Sequence, residues 1–156
     1  MKKGIVMVLF VLVVIVGFGS YFLVKYDFEK VKEVKSIENN YDADFEYEIE
    51  DVAYYYKDIV ITGWLAETNS TNQYINRKIV LKDKSGNIIS IKTEMQERED
   101  LEGKNTVETN YIKCGLIGRV NYDKLIEGEK YQIGFIIVNQ DEREKMIFID
   151  KFIEIS

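Results

Sequence analysis

Two hydrophobic periodicities divide the chain. From Gly4 to Val24 (GIVMVLFVLVVIVGFGSYFLV) no residue is charged. A helix of that stretch is apolar on every side, and at 1.5 Å per residue it runs to about 30 Å, one hydrocarbon thickness. Over Tyr26–Asn40 (YDFEKVKEVKSIENN), Phe28, Val31, Val34 and Ile37 recur at helical spacing, which predicts a short helical stalk broken by Asn39-Asn40. Beyond Tyr41 the period becomes that of a strand. Asp44–Asp51 alternates Phe45, Tyr47 and Ile49 with Asp44, Glu46, Glu48 and Glu50. Ile59–Glu67 follows as a second strand. Ile79 and Leu81, then Ile89 and Ile91, flank the turn signal Asp83-Lys84-Ser85-Gly86-Asn87. Tyr111–Val120, Tyr131–Val138 and Met146–Ile155 complete about seven strands, the last two as a hairpin over Asn139–Lys145. The expected organisation is an anchor over 1–25, a stalk over 26–40 and an all-β domain over 41–156, an antiparallel sandwich or barrel.

The stretch DIVITGWLAE, Asp58–Glu67, holds the only tryptophan. Strict alternation puts Ile59, Ile61, Gly63 and Leu65 on one face and Val60, Thr62, Trp64 and Ala66 on the other. Both faces are then largely apolar, unlike a half-solvated strand. A β-bulge at Gly63 would bring Ile59, Ile61, Trp64 and Ala66 onto one core, so Trp64 is expected to be buried there. The competing reading is an exposed Trp64 that stacks on sugar. Tyr54, Tyr55 and Tyr56 cannot all be buried, since neighbours on a strand face opposite ways. At least one is expected at the surface, either as an ordinary surface tyrosine or as a contact for sugar or protein.

Composition narrows the chemistry. The chain has 156 residues and no His, which removes the usual general base near neutrality and the commonest metal ligand. After the first 25 residues, which carry three lysines and no acid, 18 basic and 27 acidic residues remain, net −9. Such a domain repels phosphate backbones, so no nucleic-acid partner is expected. Cys114 is the only cysteine and forms no internal disulfide. Carboxylates on alternate positions of the Asp44–Glu50 row lie about 6.5–7 Å apart, too far for one strand to chelate a cation, so a solvated, charged edge is expected. Glu94–Glu102 reads as a loop or short helix. No phosphate-cradling loop, zinc spacing or nucleophile–base pair occurs, and no cofactor or catalytic residue is assigned. Asn69-Ser70-Thr71 fits a glycosylation sequon.

Leu125-x-x-Gly128-x-x-Tyr131 leads into the alternating strand Tyr131, Ile133, Phe135, Ile137. It resembles the tyrosine corner of immunoglobulin-like and fibronectin type III-like sandwiches, with Glu127 where such corners often have Pro. The resemblance implies a sandwich in which the Tyr131 hydroxyl bonds back to upstream backbone. Over most of Val52–Ile155, the order Gly63-Trp64, acidic loop, Cys114-Gly115-Leu116, Leu125–Tyr131 and closing hairpin is similar to accessory β-sandwich modules of some bacterial cell-envelope glycosyltransferases. That likeness brings no catalytic residue.

The Gly4–Val24 run is expected to anchor the chain in a membrane. A cleaved signal peptide ending near Gly19 and a buried core helix are the other readings. Lys2 and Lys3 favour an inside N-terminus and an outside domain, although Lys25, Lys30, Lys32 and Lys35 counter the charge bias. The expected function is binding, not catalysis. The domain would be an envelope accessory protein contacting a membrane protein or a surface polymer, with a glycan-binding module as the alternative and a small hydrolase with paired carboxylates behind it.

Overall fold

The structure, a computed structural model, describes residues 2–28, 31–35, 37, 43–73 and 75–155, and in the first helix the side chains of 7–23. The chain divides into two compact units, Met1–Lys30 and Val31–Ser156. The first holds α1, Lys2–Phe28. Among the described residues no helix is long and apolar enough to cross a membrane. The second unit contains β1 (Lys32–Val34), β2 (Phe45–Tyr54), β3 (Asp58–Glu67), β4 (Asn76–Lys82) and β5 (Ile88–Ser90). It continues with β6 (Lys92–Gln96), β7 (Gly115–Asn121), β8 (Lys130–Val138) and β9 (Glu144–Glu154).

All pairings are antiparallel, in sheets ordered β1-β5-β4-β8-β9 and β2-β3-β7-β6. The all-β sandwich expected from the alternation is present, with nine strands among the described residues in place of about seven. The additions are short. β6 occupies part of the acidic stretch read as a loop or helix. β1 takes the place of part of the expected helical stalk; its Lys32 and Val34 pair with Ser90 and Ile88. Tyr111–Val120 is a strand only from Gly115, because Ile112–Cys114 forms a 3-10 turn. The stalk's end at Asn39-Asn40 lies outside the described residues.

Alternation builds the core between the sheets. Ile59, Ile61 and Leu65 of β3 and Leu116 and Val120 of β7 meet Ile79 and Leu81 of β4. They also meet Ile133, Phe135 and Ile137 of β8 and Ile149 and Ile153 of β9. A smaller apolar cluster, Val80, Ile88, Ile136 and Met146, lies apart from this core, and Val34 and Ile37 pack against it. The β4–β5 turn is where the sequence places it, closed by Asp83 N–H to Asn87 O at 3.0 Å and Asn87 N–H to the Asp83 carboxylate at 2.8 Å.

The bulge is not at Gly63. β3 pairs with β7 without interruption from Asp58 to Trp64, and the extra residue lies across from it in β2, between Ile49 and Asp51. Gly63 nevertheless depends on that partner. A Cβ there would lie 2.2 Å from the Glu48 carbonyl oxygen, so β2 could not approach a larger residue.

At the start of β8 the corner closes as its residues suggest. The buried Tyr131 hydroxyl accepts from Ile126 N–H at 3.0 Å. Gly128 takes φ +74°, a left-handed conformation that suits glycine, and its N–H reaches Ile155 O at 2.7 Å. Tyr131→Phe removes the hydroxyl and leaves Ile126 N–H without this partner. The expected loss is about 1–2 kcal/mol in urea unfolding, with the cooperativity of the transition unchanged.

Candidate functional site

Trp64 is 3% exposed, yet it does not join the main core. With no bulge in β3, it faces away from the residues on either side of it and packs with Ala66, Leu101, Tyr111 and Cys114. The expected burial is found, but its expected route, a twist at Gly63 onto the Ile59–Ile61 core, is corrected. The excursion between β6 and β7, residues 97–114, covers the tryptophan. Tyr111 meets the indole edge-on at 5.9 Å, and Lys104 Nζ sits 4.4 Å from the ring centre. A buried indole under such a cover has no face for stacking sugar.

Arg98 clamps this cover. Its guanidinium donates to both Glu50 oxygens at 2.9 and 2.7 Å and to both Asp100 oxygens at 2.8 and 2.6 Å. Glu50 is the residue skipped at the β2 irregularity, so the bulge sits where the clamp's carboxylate is needed. The remaining acids of that row, Asp44, Glu46 and Glu48, are exposed along an edge strand. Cys114 lies beneath the cover, its thiol donating to Tyr111 O at 2.7 Å, and burial pushes its pKa up to about 11. It is therefore a protonated, unreactive thiol at neutral pH.

Tyr54, Tyr55 and Tyr56 are 50%, 60% and 95% exposed at the β2–β3 turn, closed by Tyr55 N–H to Asp58 O at 2.8 Å. All three reach solvent. Trp64 is not their neighbour in a shared site, being buried under the 97–114 cover.

At the other end of β3, about 30 Å away along the strand, the inward rows of four strands turn polar together. Leu65 is followed on its face by Glu67, Ile79 is preceded by Arg77, Ile137 is followed by Asn139, and Ile147 is preceded by Lys145 and Arg143. The β3–β4 and β8–β9 loops close over this end. Between them lies a cleft of about 370 Å³, lined by Glu67, residues 69–71, Ile75, residues 139–141 and Arg143.

Backbone and buried side chains hold the loops. Asn72, 1% exposed and at φ 56°, accepts from Glu67 N–H at 2.9 Å and donates to Glu67 O at 3.0 Å. Arg77, 1% exposed, donates to the Asn72 side-chain oxygen and to the carbonyls of Ile75 and Lys113 at 3.1 and 3.2 Å. These bonds offset part of the cost of burying its charge. Asn139 caps the second loop, accepting from the backbone of Asp141 at 3.1 Å and of Arg143 at 2.9 Å. The cover joins the first loop through Asn69 N–H to Thr109 Oγ1 at 2.8 Å and Asn110 N–H to Ser70 O at 3.1 Å.

Glu67 is the chemical centre of the cleft. Its Oε2 is sealed from solvent and has no hydrogen-bond partner among the described residues. Burial raises its pKa, and the cations Arg77, Arg143 and Lys145 pull it back only in part. The second carboxylate, Asp141, is paired with Arg143 at 3.1 Å. Among the described residues no His, Cys, Asp or Glu cluster is arranged to hold a metal. No local pattern in the sequence points to a binding role for Glu67, Arg77 or Arg143, and residues 69–71 read there only as a sequon. The missed signal was the alternation itself, followed one step past the last apolar residue of each strand.

Comparison of the chain with protein-family models, curated proteins and solved structures gave no match.

The raised pKa has a measurable sign. A carboxyl that binds its proton more tightly folded than unfolded destabilises the fold when ionised. That cost is absent below its unfolded value and sets in as pH rises through the folded one. Glu67→Gln removes the cost. Its urea midpoint should match wild type near about pH 4 and exceed it near about pH 8. A variant less stable at the higher pH would mean that the surrounding cations outweigh burial.

Proposed function

We propose that the protein is an accessory component of the cell envelope, anchored by residues 4–24 with its sandwich outside the membrane, and that it acts by binding. The observation that carries this reading is the convergence of four inward rows on one polar cleft, closed by two loops on a rigid sandwich. Loops so positioned are the common place for recognition. No helix among the described residues is long and apolar enough to cross a membrane, so the support for anchoring is the apolar surface of α1. From Met7 to Leu23 its large apolar side chains are exposed on all sides, which suits hydrocarbon and not water.

An immunoglobulin-like architecture is supported by the sheet order. With β2, β3, β7 and β6 as A, B, E and D, and β4, β8 and β9 as C, F and G, the two sheets follow the ABED and CFG arrangement, β5 extending the second. Tyr131 then stands at the start of F, where a tyrosine corner belongs. The cleft falls between the B–C and F–G loops, the end that immunoglobulin variable domains use for recognition. The hydrolase reading gains less, because Asp141 is committed to Arg143.

Protease shaving of intact cells, followed by crosslinking and identification of partners, tests the proposal. The expected result is a domain cleaved from outside while α1 stays with the membrane fraction, and a crosslink from residue 140 to an envelope protein or polymer. A domain that shaving spares, or a chain recovered entirely from the soluble fraction, would contradict it.

A further inference from the structure

We infer that the cleft between the β3–β4 and β8–β9 loops binds a neutral, hydroxyl-rich saccharide. The inference rests on the binding reading above and names its ligand class. The charges around the cleft decide it by elimination. A cationic ligand would meet Arg143 in the wall, with Arg77 and Lys145 close enough to act on Glu67. An anionic ligand would meet the carboxylates of Glu67 and Asp141. A neutral ligand avoids both penalties.

What the walls offer is hydrogen bonding. Among the described residues, the side chains of Asn69, Thr71 and Gln140 have no protein partner, and each can donate and accept. Glu67, which also lines the cleft, completes the set. A sugar hydroxyl also both donates and accepts, so it can serve Glu67 whether the carboxyl is ionised or protonated, whereas an ammonium group needs the ionised form. Among the described residues Ile75 is the one apolar residue of the lining, leaving little there to grip an apolar side chain of a peptide. A volume of about 370 Å³ lies at the small end of ligand clefts and suits a short stretch of glycan. The loops are already held by Asn72, Arg77 and Asn139, so binding does not have to order them.

The full chain in detergent micelles is titrated with maltotetraose, cellotetraose, chitotetraose and mannotetraose, with tetralysine and tetraglutamate as charged controls. At least one neutral oligosaccharide should bind saturably. Glu67→Ala and Gln140→Ala should each weaken it about tenfold or more, as loss of a hydrogen bond at a charged or enclosed group implies, while Tyr56→Ala should leave it unchanged. Glu67→Ala is checked for folding by its urea midpoint, so weakened binding in a stable variant reports the cleft. Absence of binding to all four would overturn the inference. So would binding that survives both cleft substitutions, binding lost in Tyr56→Ala, or preferential binding of either charged control. If the saccharides fail while the envelope crosslink from residue 140 persists, the ligand class is wrong and the binding reading stands. If both fail, the binding reading falls with it.

Discussion

β3 is apolar on both faces, and an uninterrupted strand cannot turn Trp64 toward the core that holds Ile61 and Leu65. Something must therefore cover the outer face of the second sheet. The chain supplies the excursion over 97–114, bringing Leu101, Tyr111 and Cys114 onto Trp64 and Ala66. Enclosing a large aromatic side chain is worth about 2–3 kcal/mol, whereas exposed ion pairs contribute about 0–1 kcal/mol each. Apolar burial thus drives the cover down, and the Arg98 fork sets its register against Glu50 and Asp100. The β2 bulge and the bare backbone of Gly63 belong to the same solution, since they let β2 run close beside β3 and present Glu50 to the clamp.

The cover also reaches the cleft. Its Thr109 and Asn110 bond to Asn69 and Ser70, and Arg77 bonds to Lys113 O from inside the sandwich. The loop that forms one wall of the cleft is consequently fixed from two sides. Glu67 sits where the apolar row of β3 runs out, close enough to the core to be desolvated and close enough to the rim to line the cleft. One strand, Asp58–Glu67, ties the covered tryptophan to the carboxyl at the cleft.

Much of this architecture is written in local pattern. The alternation in Asp44–Asp51 and Tyr131–Val138, the Asp83–Asn87 turn and the Leu125–Tyr131 corner each follow from a few adjacent residues, and each is present in the fold. What depends on distant partners was not legible. Lys32–Val34 has helical spacing but becomes a strand because β5 offers an edge. The apolar outer face around Trp64 looked like a defect of β3 that a bulge should repair, because its cover is assembled from residues 97–114. The cleft was hidden for a related reason: Glu67, Arg77, Asn139 and Arg143 are scattered in sequence and converge only when four strands end together.

The central claim is that β3 is buried on both faces by a clamped cover. Because Trp64 is the only tryptophan, its fluorescence reports this directly. The folded chain should emit at short wavelength and resist acrylamide quenching, and Arg98→Ala should raise the quenching while β-sheet circular dichroism is retained. Red-shifted, readily quenched emission from the folded wild type would contradict the account.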